Sequence, residues 1–351
     1  MAAIPEPMHT TVARIYESYE QGAEEGLRPH LGASLIGHQC ERYLWLTFRW
    51  VEAKKFDGRM LRLFKAGQDF EQRIVAELRR IGVEVHDTDP AGNQWRVSCL
   101  GGHFGGSLDG AACGLPEAPK SWSVLEFKTH NAKSFKDLLD KGVREAKPQH
   151  HAQMTVYMGL TGIDRAMYIA ENKNTSELYA ERLEFDPAEF ARLKARAERI
   201  IRATEPPLRI SEDPSWYVCS RCDFNDHCHG DAAPLVNCRT CAHSTPELDG
   251  DGRWSCANQG GADLSVDEQR AGCAAHRYIP ILLQRFATQT DYVNGDVIYT
   301  DRTGKTFGNG SQPGSLVSED IRKLKQKNIL GDLANFKKEL DEVGIGSEVI
   351  E

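Results

Sequence analysis

From Met60 to Ile81 the apolar residues fall at 60, 61, 63, 64, 70, 74, 75 and 78, close to helical spacing, and Gly82 closes the run. The pattern predicts one long helix. Short apolar segments follow in quick succession, Val83 to His86, Trp95 to Cys99, His103 to Leu108 and Trp122 to Phe127, separated by polar breaks; these read as strands. Pro148 to Leu160 reads as a second helix with proline near its first turn, and Ala166 to Ala170 and Leu178 to Phe185 as two more strands. Asp186-Pro187-Ala188-Glu189 opens a further helix, with Asp as N-cap, Pro at N1 and Phe190, Leu193, Ala197 and Ile201 along one face. Pro206-Pro207 stops it. Helices alternating with strands predict an α/β domain over residues 1–233.

The periodicity then fades. Residues 234–284 are rich in Cys, Gly and Asp, as expected where a metal replaces a core, and form a second, four-cysteine metal-binding module. Residues 285–351 form an extension with a Gly-rich stretch (Gly304 to Gly314) and a Lys-rich amphipathic helix from Ser318 to Val343. No internal repeat is visible.

Composition narrows the class. The 351 residues are 40% hydrophobic and 27% charged, with 15 Pro and 31 Gly, which is globular and not disordered or fibrous. No apolar run reaches the ~18 residues of a membrane span, and Met1-Ala-Ala-Ile-Pro-Glu-Pro lacks the basic and apolar regions of a signal peptide, so a cytoplasmic protein is expected. The net charge of −8 is shared: residues 1–233 carry 30 basic and 34 acidic groups, the remainder 13 and 17. The whole-molecule field repels phosphate, so nucleic-acid binding would need a local basic track or a bound cation. Of ten cysteines, seven lie between 219 and 273 and include the pairs Cys219/Cys222 and Cys238/Cys241. A C-x2-C pair puts two thiolates on one turn, within reach of one ion. Cys99 and Cys113 lack such spacing and read as small buried hydrophobes.

Asp109 ends the segment His103-Phe-Gly-Gly-Ser-Leu-Asp109, and Glu126 and Lys128 stand two apart on the strand Trp122 to Thr129. Alternation places Glu126 and Lys128 on one face and Phe127 on the other. With Asp109 on the neighbouring strand, the two carboxylates can share Mg²⁺ or Mn²⁺, the Phe127 carbonyl adding an oxygen, and Lys128 can orient a water or stabilise developing charge. That is equipment for phosphodiester hydrolysis. Taken alone, the pattern more often marks a cross-strand salt bridge with a turn-closing Asp. Two flanking features bear on the choice: Glu71, in Gly67-Gln-Asp-Phe-Glu71 on the long helix, could supply a third carboxylate, and Gln153 and Tyr157, four apart on the later helix, share a face suited to a nucleic-acid backbone or to holding Lys128.

The order Gly-x3-Glu, Gly-x-x-Asp, Glu-x-Lys, Gln-x3-Tyr resembles the PD-(D/E)XK nuclease superfamily, in its RecB-like branch. Ser34-Leu-Ile-Gly-His-Gln-Cys40-Glu-Arg42 and Cys219-Ser-Arg-Cys222-Asp-Phe-Asn-Asp-His-Cys228 are similar to the one-plus-three cysteine arrangement of its iron-sulfur members, AddB and the CRISPR adaptation exonucleases. The resemblance spans residues 34–229. It implies a restriction-endonuclease-like core, a central mixed sheet flanked by helices, and metal-dependent DNA cleavage. It also implies a [4Fe-4S] cluster on Cys40, Cys219, Cys222 and Cys228, a closed structural centre that would close a loop of ~180 residues. The chain departs from many RecB-like members in offering Glu71 where they carry His. The whole also looks like the exonucleases of phages and prophages, which implies DNA ends as substrate, work in recombination or replication, the bacterial host cytoplasm as location, and a single-strand annealing recombinase or single-stranded DNA-binding protein as partner.

Cys238, Cys241, Cys256 and Cys273 form a second set, for which zinc is the default, with His243 or His276 as substitute ligands. Acidic surroundings favour a folding or docking role over DNA contact. Thr303-Gly304-Lys305-Thr306 ends like a phosphate loop, but Tyr299 stands where glycine is required, so a turn is expected. His150-His151 reads as a surface pair beside the site, and the segment Arg322 to Lys327 as a solvated helix face. A metal-dependent deoxyribonuclease is the leading expectation. A non-catalytic DNA-binding module of the same fold, or DNA binding gated by cluster oxidation, remain open from the residues alone.

Overall fold

A computed structural model describes residues 10–23, 26–230, 232–285, 287–301 and 304–326. The chain divides into two compact units that interleave along the sequence: Met1–Gly26, Lys54–Val97 and Gly106–Ala191 make one, and Leu27–Ala53, Ser98–Gly105 and Arg192–Glu351 the other.

The first unit is built on a mixed five-stranded sheet. Its helices are α1 (Thr10–Gln21), α2 (Gly58–Arg80), α3 (Ala132–Ala146) and α4 (Pro148–Thr161); its strands are β1 (Glu84–His86), β2 (Gly110–Leu115), β3 (Ala118–His130), β4 (Arg165–Asn172) and β5 (Leu178–Glu184). The strands lie side by side in chain order. All neighbours are antiparallel except β3 and β4, which run parallel with Glu126 beside Tyr168 and Lys128 beside Ala170. A parallel pair needs a long crossover, and α3 and α4 provide it. Asn131 caps α3 by accepting from the Ser134 amide at 2.8 Å. Gly142, at φ +73°, breaks the α3 span, and the next amide, that of Val143, donates to Glu181 Oε2 at 2.8 Å.

The long helix predicted from periodicity is α2, capped by Asp57, whose Oδ1 accepts from the Met60 amide at 2.7 Å. Only its second half is core: Phe70, Ile74, Val75 and Leu78 pack with Leu125, Phe127, Met167 and Ile169, while Leu63 and Phe64 are exposed. Odd positions of β3 and β4 thus face α2, and alternation turns Glu126, Lys128 and Tyr168 to the other face. Three elements of this unit exceed the sequence reading: α1, β2, which forms a hairpin with β3, and α3.

Asp186 caps the helix Pro187–Arg202 as expected, its Oδ1 accepting from the Ala188 and Glu189 amides at 3.0 Å. In the second unit the helix Glu41–Phe48 buries Leu44, Trp45, Leu46 and Phe48. Three-residue strands Ser244–Pro246, Trp254–Cys256 and Ala262–Leu264 form one small antiparallel sheet. The expected Gly-rich extension contains another sheet, Ala287–Val293, Asp296–Asp301 and Thr306–Asn309, with a core that includes Tyr278, Val297, Tyr299, Phe307 and Ile321. The Lys-rich helix is described over Ser318–Gln326; the rest of its expected span lies outside the described residues. Cys99 and Cys113 are half-buried rather than fully buried, because each sits on a strand face that meets solvent. Among the described residues no helix is long and apolar enough to cross a membrane.

Candidate active site

The site grows from the end of a hydrogen-bond ladder. Strand β2 begins at Gly110, opposite Leu125, so the amide of Phe127 lies beyond its last pair. Asp109 Oδ2 accepts from that amide at 2.8 Å. The bond pins the Asp109 carboxylate to the strand between Glu126 and Lys128. On the same strand Lys128 Nζ donates to Glu126 Oε1 and, at 3.0 Å, to the Phe127 carbonyl. Asp109, Glu126 and Lys128 therefore converge.

Burial makes this cluster electrostatically demanding. Glu126 is 0% exposed, and its Oε2 is shut from water without a hydrogen-bond partner. Burial pushes the Glu126 carboxyl up against the pull of Lys128, and burial likewise raises Asp109. Burial alone would lower Lys128, but the neighbouring carboxylates of Glu126 and Asp109 outweigh it and raise its pKa, so it stays an ammonium. Glu71, half-buried on α2, is pushed up to about 7, first by burial and then by the charge of Asp109. Three carboxylates thus crowd one ammonium, and a buried carboxylate oxygen without a donor favours a cation beside it. Asp109, Glu126 and Glu71 offer the oxygen donors a hard divalent ion takes. Among the described residues no group of three or more His, Cys, Asp or Glu side chains is already drawn together around an ion site, at the carboxylates or at the cysteines.

Gln153 and Tyr157 share the sheet-facing side of α4, and Gln153 Nε2 donates to the Tyr157 hydroxyl at 3.4 Å. Both are buried, Tyr157 to 2% exposure. Of the two roles their spacing allowed, burial suits holding the site over lying along a nucleic-acid backbone. Gly106 makes room for Tyr157: a Cβ there would stand 2.5 Å from its hydroxyl.

One polar chain escaped the sequence reading. Tyr168, on β4 beside Glu126, has its hydroxyl between His130 Nε2 at 2.8 Å and His150 Nδ1 at 3.0 Å. His130 Nδ1 meets Ser134 Oγ at 3.2 Å, which in turn accepts from Lys147 Nζ at 2.9 Å. Burial, with Lys147 and Lys128 adding to it, holds His130 down at about 4; burial and Lys128 hold His150 at about 3, so both rings are neutral near pH 7. The expectation of a surface pair at His150-His151 is thereby corrected, since His150 turns inward onto Tyr168. Helical position relative to the sheet decides this, and only the β3–β4 register reveals it.

The thiols fall into two groups, each within the second unit. Cys40 caps the helix Glu41–Phe48, its Sγ accepting from the Tyr43 amide at 3.4 Å. Cys219, Cys222 and Cys228 lie on the turns and the short helix Asn225–His229, close enough to Cys40 that a thiolate there raises the pKa of each, after burial. Cys238, Cys241, Cys256 and Cys273 line a separate cavity of about 250 Å³.

The model of one protein family, the PD-(D/E)XK nuclease superfamily, matches residues 7–229. The chain belongs to that superfamily. No curated protein matches it. Among solved structures it is similar to an alkaline exonuclease from Laribacter hongkongensis, at 16% identity and a TM-score of 0.37 over 52% of this chain and 90% of that one. It is also similar to SSO0001, at 14% identity and a TM-score of 0.37 over 62% of this chain and 95% of that one. Within the superfamily's fold, the mixed sheet flanked by helices is the frame that carries Asp109, Glu126 and Lys128.

Proposed function

We propose that this PD-(D/E)XK protein is a metal-dependent deoxyribonuclease that degrades DNA from its ends. The observation that supports this most is the buried Glu126 oxygen without a donor, beside Asp109 and the Lys128 ammonium. Asp109 and Glu126, with Glu71, would hold Mg²⁺ or Mn²⁺, which when bound acidifies water and neutralises the scissile phosphate. The chain's own residues do the rest. Lys128, charged and tethered to the Phe127 carbonyl, offers a donor where charge develops on phosphate. Gln153 and Tyr157 back the carboxylates from α4 and keep water out. Cys40, Cys219, Cys222 and Cys228 would hold a [4Fe-4S] cluster as a structural centre, and a phage or prophage setting with a single-strand annealing recombinase or single-stranded DNA-binding protein completes the reading.

The test is degradation of end-labelled linear DNA and of closed circular DNA, with Mg²⁺ or Mn²⁺ and with EDTA. Loss of linear DNA only, abolished by EDTA and reduced by about 10²-fold or more in Asp109→Ala and Lys128→Ala, is expected. Unchanged activity in both variants rejects the mechanism, cutting of closed circles rejects end dependence, and binding without cleavage would mean a module that only holds DNA.

A further inference from the structure

Two buried cations of the second unit lie beside the cysteines that the nuclease reading leaves unused. Arg239, which follows Cys238, is 0% exposed, and Arg49 is 3% exposed. Arg239 lies over the ring of Trp50 at 3.7 Å and that of Trp254 at 4.7 Å. Its donors reach the carbonyls of Phe48 at 3.1 Å and Pro29 at 2.9 Å, and Gln269 Oε1 at 3.0 Å. Arg49 also lies over the Trp254 ring, at 5.1 Å, and donates to the carbonyls of Ala203, Arg239 and Ser244 at 3.1, 3.4 and 3.5 Å. Its Nε is buried without a partner.

Every acceptor in this set is neutral. Among the described residues neither guanidinium has a carboxylate partner, and two cations this deeply buried are costly unless an anion lies near. The groups placed to supply one are thiols: Arg239 stands between Cys238 and Cys241 in the chain, Arg49 donates to the Arg239 carbonyl, and a Cys241 thiolate would support the Arg49 cation. Cysteine is ordinarily neutral at neutral pH; bound to a metal it is a thiolate.

We propose that Cys238, Cys241, Cys256 and Cys273 hold a zinc ion in a closed four-thiolate site whose net negative charge is the counter-charge for buried Arg49 and Arg239. Four thiolates on one divalent ion carry an excess of two negative charges, which matches two guanidinium groups. The local backbone suits the role. Cys238 and Cys241 flank one turn that Asn237 caps, and the Arg277 amide donates to Cys241 Sγ at 3.5 Å. Cys256 ends the middle strand of the small sheet and Cys273 follows the helix Val266–Ala271. His276 lines the cavity but cannot serve as a ligand while its Nδ1 is on Ser318 Oγ at 2.7 Å and its Nε2 on Thr240 Oγ1 at 3.1 Å. Of the remaining groups on the cavity wall, His243 and Cys273, the thiol completes the four-cysteine set. Strands of three residues around Trp254 and Leu264 give little core, so metal binding supplies folding free energy here. A consequence follows for the rest of the unit: Arg49 stands at the C-cap of the helix that Cys40 caps at its start, so zinc anchors one end of the helix whose other end bears a thiol of the first set.

The site stands independently of the nuclease reading. Its test counts zinc and iron per chain in the full-length protein and replaces zinc by Co²⁺. About one zinc per chain and the thiolate-to-cobalt absorption of a tetrahedral site are expected, both lost in Cys256→Ser. Since a cysteine variant can unfold the module, Arg49→Met and Arg239→Met form a second arm: each keeps side-chain bulk and removes charge, and zinc release to a chelator is expected to quicken about tenfold, with Arg49→Lys near wild type. Absence of zinc, iron on these four cysteines, or cobalt without thiolate absorption overturns the site. Zinc release unchanged in both methionine variants overturns the charge pairing.

Discussion

Replacing Gly106 by alanine tests how tightly the carboxylate cluster is backed. The new methyl would stand 2.5 Å from the Tyr157 hydroxyl, and 3.2 and 3.3 Å from ring atoms Cε1 and Cζ. An ordinary contact is about 3.5 Å or more, so the hydroxyl must retreat by roughly 1 Å. It has little space to do so: Tyr157 is 2% exposed and its hydroxyl accepts from Gln153. Overpacking of this kind costs about 1–3 kcal/mol. Urea unfolding of Gly106→Ala should show that loss, and kcat on linear DNA should fall more than KM, since α4 backs the site without lying on the substrate. Tyr157→Phe removes the nearest atom, leaving ring contacts that a few tenths of an ångström relieve. In a double-mutant cycle, Gly106→Ala with Tyr157→Phe should then recover about 1 kcal/mol or more relative to the sum of the single variants. A Gly106→Ala protein as stable as wild type, or a strictly additive cycle, would refute the steric reasoning.

Three further outcomes follow from other parts of the fold. Lys128→Met strips the ammonium from buried Glu126, whose carboxyl burial already pushes up to about 8. In EDTA the cost is expected to be largest on the alkaline side of that value, about 3–5 kcal/mol, and to shrink as pH falls toward neutrality and Glu126 takes up a proton; at alkaline pH Glu126→Gln with Lys128→Met should be more stable than Lys128→Met alone. His103 donates from Nε2 to the Glu247 and Arg253 carbonyls, at 2.8 and 3.1 Å, and burial lowers it from 6.5 to about 4. Between those values the unfolded chain binds a proton the native state does not, so stability should fall as pH drops through that window, and His103→Gln should flatten the slope of midpoint against pH. Asp186→Ala removes the cap of the helix Pro187–Arg202 and should cost about 1 kcal/mol by thermal unfolding with no change in KM for DNA.

Much of the frame was legible because its elements advertise themselves locally. The α2 span, the proline at the start of α4 and the Asp186 cap depend on neighbours within one or two turns, and each lies within a residue or two of expectation. The alternation around Glu126, Phe127 and Lys128 likewise needs only a strand. What went unread has identifiable causes. The α3 segment hides behind a glycine break at Gly142. Asn294-Gly295, with both residues at positive φ, is a hairpin signal that the expectation of a Gly-rich stretch and a Lys-rich helix passed over. Tyr168 carries no motif at all: it meets His130 and His150 because β3 and β4 pair in one register.

By itself, then, the sequence determined which side chains are chemically able to act, and which of them share a face: helix and strand periods are local properties, set by backbone geometry and hydrophobic spacing. The tertiary structure decided what those side chains experience. It left one oxygen of Glu126 without a donor, kept Lys128 charged between carboxylates, turned His150 inward, and buried Arg49 and Arg239 beside thiols. Desolvation and pairing depend on segments far apart in the chain, and no spacing along one strand or helix encodes them.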